Sequence, residues 1–175
     1  MPEVVRSAPA KVNLALSVGD AEPAERDGAR NPRAGWHPIA SWMVCVDLMD
    51  RVRVTPGSEG STHRIAWAED APRPTPIDWP VEKDLAVRAH RALERRVGRT
   101  LPCAVAVEKR IPVGGGLGGG SSDAAAALLA LREAFDLPLS DAELAAVGAG
   151  LGSDVAFFVD AEHGPGVVTG FGEGV

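Results

Sequence analysis

Tyrosine is absent from this 175-residue chain, which holds only 4 Trp and 4 Phe. Aromatic stacking is therefore scarce, and an aromatic beside a polar motif is informative. Cysteine is nearly absent too. Cys45 and Cys103 match neither a metal-ligand spacing nor Cys-x-x-Cys, which argues against a disulfide scaffold or a zinc site. Both thiols are expected to stay reduced in the cytoplasm. The longest apolar run, Ala124–Leu131, falls far short of a membrane span, and Met1–Arg6 lacks the charged-then-apolar order of a signal peptide. Basic charge is thin as well, with a net charge of −6. The densest basic stretch, Arg88, Arg91, Arg95, Arg96 and Arg99, falls on the polar side of Leu85, Ala89 and Leu93. It reads as a solvated helix face, not a nucleic-acid surface. What remains is a chain long enough to bury a core, with no membrane or nucleic-acid partner expected.

Along the chain, Lys11–Val18 alternates Val12, Leu14, Leu16 and Val18 with smaller or polar residues, as a half-buried strand does. Residues 19–35 are charged, contain Pro23, Pro32, Gly28 and Gly35, and show no apolar period, so they read as a long loop or insertion. Ile39–Asp47 and Arg51–Thr55 read as two strands, and His63–Ala68 as a third. Asp84 caps a helix running to Gly98. Cys103–Lys109 alternates as a strand, Ala124–Phe135 as an apolar helix. Ser140 with Glu143 forms a capping box for a further helix, and Val155–Val159 reads as a short apolar strand. Strands and helices without a repeating βαβ rhythm point to an α+β fold, a mixed sheet packed on helices.

Glycine, by contrast, is plentiful: 20 residues, of which six fall within the seven positions Gly114–Gly120. That concentration costs backbone entropy, so it needs a reason. Pro112-Val113-Gly114-Gly115-Gly116-Leu117-Gly118-Gly119-Gly120-Ser121-Ser122 leads directly into the apolar helix. Glycines let a chain wrap a phosphate with bare N–H groups, and a helix N-terminus adds free donors and partial positive charge. Ser121 and Ser122 would add hydroxyls to a phosphate or to its Mg2+ ion. A Walker A loop requires Gly-Lys-Ser/Thr, which is missing. Gly114, Gly116 and Gly119 satisfy G-x-G-x-x-G, but Ile111-Pro112 separates them from the strand and Asp136 follows a helix, against a dinucleotide fold.

The segment Pro112–Ser122 with Asp123-Ala124-Ala125 resembles the ATP-phosphate loop of the GHMP small-molecule kinases. Three further motifs are similar to those of the 4-diphosphocytidyl-2-C-methylerythritol kinase family: Ala8-Pro-Ala-Lys-Val-Asn-Leu14, Gly35-Trp-His37 and Leu151-Gly-Ser-Asp-Val-Ala-Phe-Phe158. They occur in family order and span residues 8–158. The resemblance implies a GHMP kinase N-terminal domain that phosphorylates a substrate 2-hydroxyl from ATP, in the non-mevalonate route to isoprenoid precursors. It implies Asp154 as general base with Lys11 as electrostatic partner, and Asn13, Trp36 and His37 as substrate-binding residues. ATP is the phosphoryl donor, with Mg2+ arriving on its phosphates. Taken singly, Asp154 could be a turn cap, Lys11 a strand-edge lysine and His37 a surface histidine. Asn13 could bind substrate or orient Lys11. His63, His90 and His163 share no ligand spacing.

Two departures from the family stand out. Residues 19–34 exceed its usual short turn, and Trp36 replaces its Tyr, keeping a stacking face while losing a hydroxyl. The resemblance also implies a second domain of roughly 100–150 residues, which this length does not accommodate. The expected organisation is therefore an ATP-binding domain over residues 1–169, with residues 170–175 starting the crossing to a domain that is absent or truncated. Another GHMP small-molecule kinase, or a non-catalytic nucleotide-binding remnant, are the alternative readings.

Overall fold

The computed structural model of the chain describes residues 2–26, 28–160 and 164–170. His163 lies outside them. Of the crossing expected at 170–175, only Gly170 lies inside.

A mixed sheet forms one layer. Its strands are β1 (Val4–Val18), β4 (Ile39–Pro56), β5 (Thr62–Trp67), β6 (Cys103–Lys109) and β7 (Gly166–Gly170). The order is β1-β4-β6-β5, with β7 also on β4; the pairs are antiparallel except β5 with β6. Helices α1 (Leu85–Val97), α2 (Gly119–Ala134), α3 (Asp141–Ala149) and α4 (Val155–Asp160) supply the second layer. Helix α2 carries Ala124, Ala125, Ala126, Ala127 and Ala130, all buried. Such small side chains let it sit close against the strands, and Val52, Val54, Val105 and Val107 meet the helices from the sheet.

Local chemistry sets several element ends as the sequence predicts. Asp84 accepts from Ala86 N–H at the start of α1, and Gly98 closes that helix at φ 68°. Ser140 and Glu143 form a reciprocal capping box on α3. The α1 arginines are exposed, as expected for a solvated face.

The remaining strands differ from expectation in instructive ways. Ile39–Asp47 and Arg51–Thr55 belong to one 18-residue strand, β4. Ala10 pairs with Val46 but Pro9 with Met49, so Asp47 and Leu48 are extra residues in the ladder. This bulge lies opposite a proline, which has no N–H to contribute. It changes the inward parity from Ser41 and Met43 to Asp50, Val52 and Val54, which is why the two halves read as separate strands. Val155–Val159, expected as a strand, is helical. Its five consecutive residues are buried on every side, and such a run carries no period to distinguish the two states. Leu14, Leu16 and Val18 are more than half exposed rather than half-buried, because this end of β1 projects past the helix layer.

Residues 19–26 and 28–35 are tied to one another by local bonds. They hold a small hairpin of β2 (Glu25–Arg26) and β3 (Ala29–Arg30). Buried Asn31 donates to Glu22 Oε2 and the Pro23 carbonyl, each at 3.0 Å.

One contact between β5 and α1 makes the fold acid-sensitive. His90 Nε2–H donates to the Leu101 carbonyl at 3.0 Å, so its Nδ1 must accept, and His63 Nε2 stands 3.1 Å from it. Burial, then His90, hold the His63 imidazole below its ordinary value; Arg91 adds to this while Glu94 and Asp84 oppose it. The unfolded chain therefore takes up this proton first as pH falls. The His63 contribution to stability is full above about pH 6.5 and is lost below it. Urea midpoints measured from pH 7.5 to 5.5 should fall more steeply for the native protein than for His63→Gln. Equal slopes would remove His63 from the account.

Candidate active site

The glycine segment forms one wall of a cleft of about 270 Å³. Gly114, Gly116 and Gly118 have φ of 77°, 71° and 74°, so left-handed residues alternate with others along the loop. Alternation of this kind turns successive N–H groups toward one side and makes an anion-binding concavity. Among the described residues, no amide from Gly114 to Gly120 donates to a backbone carbonyl. Helix α2 begins at Gly119, earlier than the expected Ala124, so its first-turn donors open on the same cleft. Pro112, Val113 and Leu117 line it with the glycines, and Ser121 does so from the first turn. Ser122 does not: it is buried on the other side of the helix, and its hydroxyl has no partner among the described residues.

Strand β1 is fastened to this loop at one residue. The Lys11 N–H donates to the Leu117 carbonyl at 2.9 Å. A Cβ on Gly118 would come within 2.9 Å of the Phe158 ring and 3.1 Å of Lys11 Cγ. Only glycine permits the loop to lie so close, at that φ, against strand and helix α4 together. Asp154 directly precedes α4, and its carbonyl accepts from Phe158 N–H at 3.3 Å. The Lys11 ammonium lies 3.5 Å from Asp154 Oδ2, with side chains 9% and 20% exposed. That is sheltered enough for the attraction to exceed that of a surface pair, yet open to a ligand.

Asn13 falls on the same side as Lys11 and accepts from its ammonium at 2.8 Å. Its amide donates to Ser41 Oγ at 2.6 Å, and that hydroxyl donates to the Ala15 carbonyl at 2.8 Å. The chain of bonds fixes the amide's direction and holds its oxygen on the Lys11 ammonium. Ser41 has no signal in the sequence that would single it out.

Beneath the cleft lies a buried charge cluster that the sequence reading missed. Lys109 donates to Asp50 Oδ2 at 2.6 Å and to Asp123 Oδ2 at 2.5 Å. Asp50 Oδ1 also accepts from the amides of Arg110 and Ile111, pinning the turn into the glycine loop. Burial lowers the Lys109 ammonium, but Asp123 and Asp50 outweigh it and raise it overall. Burial pushes the Asp123 carboxyl up to about 8, with Lys109 opposing and Asp50 adding to the shift. The Asp123 Oδ1 atom has no partner among the described residues. The β4 bulge is what brings Asp50 inward, so no local pattern announces it.

Trp36 and His37 are not brought to Lys11 and Asp154. They sit at the far end of the β1–β4 ladder, where His37 Nδ1–H donates to the Gly19 carbonyl at 2.8 Å and Glu22 N–H donates to Trp36 O at 2.8 Å. Gly19 follows Lys11 by eight strand positions, roughly 25 Å of extended chain. With Nδ1 donating, Nε2 of the neutral His37 ring is left as an acceptor. Among the described residues, no His, Cys, Asp and Glu grouping could hold a metal on its own.

Known proteins resemble this arrangement closely. Residues 84–162 match the model of the GHMP kinases N terminal domain. A 4-diphosphocytidyl-2-C-methyl-D-erythritol kinase from Caulobacter sp. (strain K31) is 44% identical over 152 residues, covering 85% of this chain and 46% of that protein. One of the same name from Cupriavidus necator is 40% identical over 152 residues, covering 87% and 46%. The crystal structure of a 4-(cytidine 5'-diphospho)-2C-methyl-D-erythritol kinase superposes with a TM-score of 0.71 at 34% identity, over 98% of this chain and 53% of that one. Homoserine kinase from Cytophaga hutchinsonii shares the fold alone, with a TM-score of 0.57 at 14% identity over 91% and 42%. The chain spans about half the length of the relatives it matches. It belongs to the GHMP kinases, and it carries their N-terminal domain.

Proposed function

We propose that residues 1–169 form the ATP-binding domain of a kinase that transfers a phosphoryl group to the 2-hydroxyl of 4-diphosphocytidyl-2-C-methyl-D-erythritol, a step toward isoprenoid precursors. The observation that carries this reading is the junction at Lys11. Its backbone holds the glycine loop and its ammonium faces Asp154, so phosphate donors and a carboxylate base meet at one point. Phosphoryl transfer to an alcohol needs those two parts: positioned donors for the transferring group and an acceptor for the hydroxyl proton. Asp154 accepts that proton. Lys11, aimed by Asn13, offsets the charge that develops beside it.

Distance supports the choice of substrate. Trp36 and His37 lie several strand positions away, which suits an extended molecule with its reacting hydroxyl at one end and a base at the other. The Trp36 indole gives the cytosine a stacking face, and His37 Nε2 accepts from its exocyclic amine. A homoserine or mevalonate derivative would leave that end of the site without a ligand. Mg2+ fits as an ion delivered with the triphosphate: Ser121 Oγ, at the cleft and beside the Gly152 turn, is the hydroxyl that would hold it. When bound it neutralises phosphate charge. Transfer from ATP should be measured in the full-length protein with the diphosphocytidyl alcohol, homoserine and mevalonate as acceptors. Turnover is expected only with the first; turnover indifferent to the cytidine moiety would overturn the reading.

A further inference from the structure

One hydroxyl stands behind the Lys11–Asp154 junction, and none of the motifs contains it. Ser41 is 2% exposed and pairs with Leu16 across the β1–β4 ladder. Leu14 is an extra residue in that ladder, since Asn13 pairs with Met43 and Ala15 with Trp42. Such a bulge disrupts the regular backbone bonding. Here the Ala15 carbonyl accepts from Ser41 Oγ–H at 2.8 Å. A hydroxyl has one proton to give, so toward Asn13 the serine acts only as an acceptor. An ammonium, conversely, only donates. The Asn13 amide can satisfy both neighbours in one orientation alone, with its N–H on Ser41 Oγ at 2.6 Å and its oxygen on Lys11 Nζ at 2.8 Å.

Two acceptors therefore compete for one ammonium. Asn13 Oδ1 lies at 2.8 Å and Asp154 Oδ2 at 3.5 Å. An ammonium unopposed in its approach to a carboxylate closes to about 2.7–2.9 Å. The neutral amide thus holds the nearer contact, and the carboxylate is left at a distance. We propose that Ser41 is a positioning residue for phosphoryl transfer: through Asn13 it holds the Lys11 ammonium off Asp154, so that the carboxylate keeps its lone pairs for the substrate's hydroxyl proton. Without the serine acceptor the amide is free to rotate, the ammonium closes on Asp154, and the base is occupied by its own partner. This rests on the reading of Asp154 as the general base.

Ser41→Thr and Ser41→Val in the full-length protein provide the test, because the two side chains have nearly the same shape and differ in the hydroxyl. Ser41→Thr should keep kcat within about 3-fold of the native value, while Ser41→Val lowers it roughly 5- to 100-fold with KM for ATP unchanged. Ser41→Ala, which adds no volume at the buried position, should lose as much as Ser41→Val and guards against misfolding of the larger variant. In an Asn13→Ala background the Ser41→Val loss should disappear, because the serine acts only through that amide. Equal kcat in the Thr and Val variants would overturn the proposal, as would a Ser41→Val loss that persists in full beside Asn13→Ala. A lowered urea midpoint with native kcat in Ser41→Val would also overturn it, marking Ser41 as a structural group alone. Native turnover in Asp154→Asn would instead sink the general-base reading, and this one with it.

Discussion

Asp154→Asn in the full-length protein lowers kcat by roughly 10²- to 10⁴-fold and leaves ATP affinity almost unchanged, the range expected for loss of a positioned general base. The amide is nearly isosteric with the carboxylate but cannot take up the hydroxyl proton. Nothing that holds the nucleotide is touched, because the glycine amides and the Lys11–Leu117 bond lie on the other side of the junction. Lys11→Met should show a similar loss by a different route, since the backbone bond to Leu117 survives while the charge beside Asp154 does not. Steady-state kinetics with separate ATP-binding titrations check both. Native turnover in Asp154→Asn would end its assignment as the base, whatever the behaviour of Lys11.

The largest effect on folding is expected at Lys109. Removing the ammonium as Lys109→Met leaves Asp50 and Asp123 buried with no cation between them, each essentially without exposure. Breaking one member of a buried ionic group costs about 3–5 kcal/mol, mostly the penalty of the charge left behind. The loss should grow as pH rises through about 8, because Asp123 then gives up its proton in the native protein, where Lys109 meets the charge, and in the variant it has no such partner. Asp123, already pushed up to about 8 by burial, gives up its charge most easily. Adding Asp123→Asn to Lys109→Met should therefore recover part of the stability. Urea unfolding of the single and double variants at pH 7 and pH 9 measures both effects. A single variant as stable as the native protein would show that the cluster carries no net stabilising charge interaction.

How far these features could be read in advance depends on the range of the interactions behind them. The caps of α1 and α3 and the alternation of β6 are settled within a few residues, and each reads directly from the chain. The glycine loop was legible because so many glycines before a helix are costly unless something binds there. By contrast, β4 reads as two strands because the bulge reverses its inward parity, and α4 reads as a strand because burial on all sides erases its period. The Lys109 cluster joins residues 59 and 14 positions apart, so no window of sequence contains it. Lys11, Asn13 and Asp154 were found by resemblance; Ser41, which aims Asn13, was invisible because a lone serine in an apolar strand carries no pattern.

The bond from Lys11 N–H to Leu117 O has a consequence for how the kinase would keep its geometry. Loop and acid are attached to the main chain and to the side-chain tip of the same lysine. Their separation is then bounded by the reach of one lysine with a hydrogen bond at one end and an ion pair at the other, whatever other parts of a larger protein do. Closure around a substrate could change its hold on the cytosine end without altering the gap the phosphoryl group must cross.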